Sequence, residues 1–167
     1  MKLELQSLTT NRDVFENLFS GLTPEEYTWR EHEGKWNLLE VICHLHDEER
    51  EDFRARVSSV LEDPLKPWPK IDPVAWVTER KYGEQDIHVM LEKFLNEREA
   101  TISWLTSLKN PQWNNAYQHP KVGPVSARFL LVNWVAHDYL HIRQITRIKY
   151  NYLKFTSGLG LDYAGEW

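Results

Sequence analysis

The chain has 167 residues, a formal net charge of −5, and 41% apolar against 27% charged residues. That length suits one domain, residues 1–167, built on a single core large enough to stand without disulfide or metal staples. The acidic balance and the lack of any Lys/Arg block argue against nucleic acid as a partner, and no apolar run reaches the ~18 residues of a membrane span.

Taken in chain order, the first helix is expected over roughly residues 2–20. There Leu5, Leu8, Val14, Phe15, Leu18 and Phe19 recur at spacings of three and four. Gly21 stops it, and Thr23-Pro24 looks like the start of a short helical turn. Residues 30–35 are polar, contain Gly34 and read as a loop.

The second helix has the clearest beginning. Asn37 is a cap, Glu40 completes a capping box, and Trp36 with Val41 forms a hydrophobic staple. It should run from Leu38 to about Leu61. Pro64, Pro67, Pro69 and Pro73 then forbid a helix, which leaves a connection of roughly 20 residues over 64–83. The third helix covers roughly Gln85–Leu108, with Ile87, Leu91, Phe94, Leu95, Ile102 and Leu105 on its stripe. Residues 109–125 make a second long connection, a loop or a short hairpin. The fourth helix covers roughly Ser126–Tyr150 and is apolar around much of its circumference, as a central bundle helix would be. Thr156–Trp167 reads as an irregular tail packed back on the bundle. The expected fold is therefore all-α: a four-helix bundle with long connections between helices 2 and 3 and between helices 3 and 4.

One cysteine, Cys43, cannot form an intramolecular disulfide and is expected to be a buried, inert thiol. With no apolar signal core in the first residues, a cytoplasmic location is expected. Eight Trp suit a dense core or the lining of a ligand cavity. Trp134, Tyr139 and Trp167 are candidates for that lining, with plain core packing the simpler reading of each.

The sharpest local signal is His137-x-x-x-His141. Residues i and i+4 of a helix project side by side, which is how one helix gives two imidazoles to one metal. The same spacing also describes two core or surface histidines with no metal. His44 lies inside the second helix beside Val41, Ile42 and Leu45. As a third ligand from another helix it would complete the three-ligand set of an open catalytic site; otherwise it is a hydrogen-bonded core histidine. His46, about 200° further round, is expected to be exposed or behind the ligands.

Trp36-Asn37 leading to His44-Leu45-x-Asp47-x-Glu49, followed downstream by His137-x-x-x-His141-x-x-Gln144-Ile145, resembles the DinB/YfiT-like superfamily, as does the terminal Leu161–Trp167. The resemblance spans essentially the whole chain. It implies a four-helix bundle, commonly a homodimer, with a divalent metal, often zinc or nickel, held by His44, His137 and His141. Relatives of known activity include S-transferases and isomerases that use bacillithiol, mycothiol or glutathione. Others are labelled metal-dependent hydrolases, and many have no known activity. The leading expectation is thus a metal-dependent enzyme, thiol S-transferase or hydrolase, acting on a small molecule, with a low-molecular-weight thiol as possible co-substrate. The alternative is a non-catalytic metal-binding, dimeric, stress-linked interaction protein.

Helpers for such a site are Asp47 and Glu48, three and four residues after His44, and Gln144, three after His141. For each, an ordinary solvated or salt-bridging role is an equal reading. Asp138 points about 100° away from His137 and is expected to be structural.

Overall fold

The computed structural model describes residues 1–165. Its body is four helical rods: α1 (Lys2–Phe19), which the short α2 (Pro24–Thr28) follows, a composite second rod, α6 (Ile87–Ser107) and α7 (Ala127–Ser157). The second rod begins as α3 (Leu38–Asp47), widens into a π-helical segment (Glu48–Arg54), and continues as α4 (Ala55–Glu62). α1 packs on α6 and α7, while the second rod meets α6 through α3 and α7 through α4. The all-α bundle expected from the periodicity is what forms, with one small addition. A hairpin of β1 (Ala116–His119) and β2 (Gly123–Ser126) pairs Ala116 with Ser126 and His119 with Gly123. Gly123, at φ 79°, takes the left-handed turn that side chains resist.

The starts of the rods are written locally. The Asn37 side chain accepts from the Glu40 N–H at 2.9 Å and Glu40 Oε2 accepts from the Asn37 N–H at 3.0 Å, a complete capping box. Asp86 caps α6 through the N–H groups of His88 and Val89. Ser126 caps α7 at 3.0 Å from the Phe129 N–H.

Four expectations need correction. Residues 64–83 are not free of helix: α5 (Pro73–Glu79) and a 3-10 turn (Tyr82–Glu84) form there. Pro73 stands in the first turn, where its missing N–H has no role, and Asp72 caps it from the Ala75 N–H at 3.0 Å. The fourth helix does not end at Tyr150. It runs to Ser157 and stops at Gly158, which is left-handed at φ 65°. The tail does not pack back over its described length, since Leu159 is 66% exposed and Tyr163 fully so; the expectation for Trp167 falls outside the described residues. Of the two placements expected for His46, exposure is ruled out: the ring is buried, and its Nδ1 faces Asp47 Oδ1 at 3.1 Å.

Two apolar clusters divide the core. One gathers Phe15, Phe19, Leu45, Phe94, Leu95 and Ile145; the other gathers Leu8, Val57, Leu105, Leu131, Trp134 and Val135. On every rod a polar residue separates the two: Asn11 on α1, Glu49 on the second rod, Arg98 on α6 and Asp138 on α7, each at most 3% exposed. Arg98 satisfies all its donors in this layer. Its Nε and Nη2 donate to Glu49 at 2.8 and 2.9 Å. Its Nη1 and Nη2 donate to Asp138 at 2.7 and 2.8 Å, and Nη1 also reaches the Leu8 carbonyl at 3.4 Å. Asn11 donates to Asp138 at 3.0 Å and the Trp134 indole to Glu49 at 2.9 Å. Two carboxylates and one guanidinium thus tie four rods together at the waist, beside which His137 leaves α7.

Candidate metal centre

His44, His137 and His141 each bring one ring nitrogen to a common point, all within 4.8 Å of one another. His137 and His141 come from successive turns of α7, with Nε2 atoms 3.0 Å apart. Two nitrogens bound to one ion at about 2.1 Å lie about 3.0–3.4 Å apart, so this pair already has the needed separation. His44 crosses from α3, its ring centroid 4.8 Å from that of His141. His44 and His141 are 6% and 9% exposed.

The hydrogen bonding leaves these nitrogens without other duty. His141 Nδ1 is 2.8 Å from Gln144 Oε1, an acceptor, so Nδ1 carries the proton and Nε2 presents a lone pair to His137. His44 Nδ1 is buried and finds no partner among the described residues. A buried orphan imidazole nitrogen is disfavoured. Burial, and then the charge of neighbouring histidines, pushes His44 down to about 3 and His137 to about 2. Burial lowers His141 too. All three are therefore neutral at pH 7, the form that binds metal. This donor set fits a divalent ion that accepts imidazole. Trp36 and Phe53 wall the cluster, with rings 4.9 Å from His44 and His137 respectively.

The structure separates the helpers. Gln144 is at the site, on His141. Asp47 is fully engaged: it accepts from the Tyr82 hydroxyl at 2.7 Å, pairs with Arg80 at 2.8 Å and faces His46. Burial would raise its pKa, but these partners hold it below the usual carboxylate range. Glu48 is 5% exposed, and its Oε1 has no partner among the described residues. Burial and the neighbouring Asp52 carboxylate push Glu48 up, and its hydrogen bond to Asp52 keeps it protonated. Arg56 anchors Asp52 at 2.7 Å. Asp138 is structural, as expected, and Trp134 is core. Tyr139 is 54% exposed. Cys43 is wholly buried, and desolvation raises its thiol to about 12.

Arg98 and Glu49 were not singled out by the sequence as working residues. The signal was present for Arg98, a charged residue four after Phe94 and seven before Leu105 on an apolar stripe. It is informative only once Asp138 and Glu49 are known to face it. The π-helical segment left no mark in the sequence pattern, and such segments recur at functional sites.

A family model described as the DinB superfamily matches residues 7–145. No curated protein matches. Among solved structures, YfiT from Bacillus subtilis superposes with a TM-score of 0.79 at 18% identity, covering 95% of this chain and 88% of its own. That protein is described as a probable metal-dependent hydrolase with an unusual four-helix bundle topology.

Proposed function

This chain belongs to the DinB superfamily, and from that premise we propose that it is a metal-dependent enzyme acting on a small molecule through His44, His137 and His141. The observation that carries the reading is the convergence of three neutral imidazoles, two buried and one half-buried, with a nitrogen of each within 4.8 Å of the others. Zinc and nickel both suit such ligands. A divalent ion held there supplies Lewis acidity, which lowers the pKa of a water or thiol brought to it.

The remaining work falls to the chain's own residues. Three histidines leave room for a further ligand. Gln144 fixes the His141 tautomer, and Trp36 and Phe53 keep bulk water from the imidazoles. Glu48 stands one turn after His44 and holds a proton at neutral pH, with Arg56, anchored on Asp52, as the positive charge that offsets its loss. It is assigned as the donor to a leaving group, while Asp47, bound on every side, positions the helix. Hydrolysis and thiol S-transfer both fit this arrangement, since each needs one activated nucleophile and one proton donor. Metal analysis of untagged protein tests the core of the reading. About one ion per chain is expected in the wild type and a small fraction of that in His137→Ala, and equal metal in both would sink the proposal.

An exposed apolar stripe on α7, Phe129, Val132 and Tyr139, supports a homodimer and is also what an interaction module would need. Light scattering of wild type against Phe129→Glu checks the dimer: a monomeric wild type refutes it. Turnover by the metal-loaded protein separates an enzyme from a binding module.

A further inference from the structure

A cleft of about 770 Å³ opens beside the histidines. It shares Trp36, whose ring lies against His44, and Gln144, which holds His141, so it borders the candidate metal centre. Its wall on α7 also carries Arg143 and Arg147, and the facing 29–36 loop contributes Lys35.

The two arginines are unusual within the molecule. The chain has ten arginines. Eight of them, Arg12, Arg30, Arg50, Arg54, Arg56, Arg80, Arg98 and Arg128, sit in ion pairs. Among the described residues the two arginines without one are Arg143 and Arg147, and both line this cleft. Lys35 adds a third positive charge, and Glu31 is the single acid among the described residues of the lining. The chain as a whole has 25 acidic and 20 basic residues. Surplus carboxylates pair nearly every guanidinium except those beside the site.

We infer that the cleft recognises an anionic group, a carboxylate or phosphate, on the substrate whose reactive end meets the metal. The inference rests on the metal-site reading above and adds the substrate class. Arg147 is six residues beyond His141, an axial rise of about 9 Å, and Arg143 is two beyond, about 3 Å. A guanidinium binds either anion in a two-pronged fashion. The substrate is therefore an elongated anion, its charged end up to two turns of α7 from its reacting end. Trp29 and Trp36 supply apolar walls for the part between.

The test uses cobalt-loaded full-length protein and two probes of equal length, mercaptohexanoate and mercaptohexanol. Their extended chains span the distance from the triad to Arg147. The thiolate–cobalt absorption band reports the sulfur end, and calorimetry reports total binding. The acid should bind about five- to tenfold more tightly than the alcohol. Arg143→Gln combined with Arg147→Gln should erase that advantage and leave the alcohol's affinity unchanged. Both positions are exposed, so thermal melts should match the wild type. Displacement by acetate against inorganic phosphate then shows which anion the cleft prefers. Equal affinity of the two probes in the wild type, or an acid advantage that survives both substitutions, overturns the inference and leaves the metal site standing. An acid preference by calorimetry without any absorption band refutes the metal reading and keeps the anion site. No binding of either probe refutes both.

Discussion

Replacing Arg98 with Met tests the waist of the bundle. Methionine is of similar length and apolar, so the change strands the Glu49 and Asp138 carboxylates, each about 1% exposed, with no cation between them. Asn11 and Trp134 still donate one hydrogen bond to each. Breaking a buried ion pair by removing one partner costs about 3–5 kcal/mol. Here one guanidinium serves two carboxylates, which places the loss at about 5 kcal/mol. For a domain of this size that lowers Tm by roughly 10–20 °C at pH 7. The assay is urea unfolding followed by helical circular dichroism. The control is the triple variant Arg98→Met with Glu49→Gln and Asp138→Asn, which leaves no stranded charge. A buried pair replaced by neutral groups is often close to neutral, so at least half of the lost stability should return. If Arg98→Met lies within about 1 kcal/mol of wild type, or the triple variant is no more stable than the single one, then this layer does not hold the rods as described.

Three other outcomes follow from the site. Gln144→Leu removes the acceptor that fixes the His141 tautomer and should weaken metal affinity roughly 10–100-fold, read by competition with a chromogenic chelator; unchanged affinity would remove Gln144 from the site. Glu48→Gln keeps the shape of the side chain but cannot release a proton. It should lower kcat roughly 10²–10⁴-fold on any chromogenic ester or thiol–electrophile pair the enzyme accepts, at unchanged metal content. A wild-type kcat would assign the donor elsewhere. In metal-stripped protein, His44 titrates near 3 and His137 near 2, while in the unfolded chain both protonate near 6.5. Groups with depressed pKa stabilise the fold above the unfolded value and lose that contribution as pH falls. Stability should therefore drop from about pH 6.5 downward by about 1.4 kcal/mol per pH unit for each histidine. Denaturant midpoints measured from pH 7 to pH 5 check this, and a flat profile contradicts neutral burial of the triad.

Helix placement was legible because it is a local matter. The Asn37–Glu40 box, the Ser126 cap and the apolar periods of α1, α6 and α7 act within a turn or two, so the residues state them directly. His137 and His141 were legible as a pair for the same reason, since a helix puts i and i+4 together in any context. Pro73 does not bar a helix, because a proline is equally at home in a helix's first turn, and Asp72 is the neighbour that decides it. The end of α7 was set too early because a stop at Gly158 outweighs the fading stripe after Tyr150.

Other features rest on approach between distant segments. The meeting of His44 with the α7 pair depends on how α3 and α7 pack; its place in the second helix leaves a ligand and a core histidine equally open, and only the resemblance favours the ligand. Asp47 and Glu48 are neighbours of like chemistry, and their separation into a saturated carboxylate and a protonated one comes from Arg80, Tyr82 and Asp52 arriving in space. Arg98 became the centre of a four-rod network because helices far apart in sequence each turned one polar residue to the same level. The sequence by itself determined the rods, their caps and the paired imidazoles of α7, since these follow from spacing along a single helix. Only the tertiary structure decided the third histidine, the buried charge layer and the two unpaired arginines along the cleft, because burial and charge pairing belong to surfaces that exist only after the rods have packed.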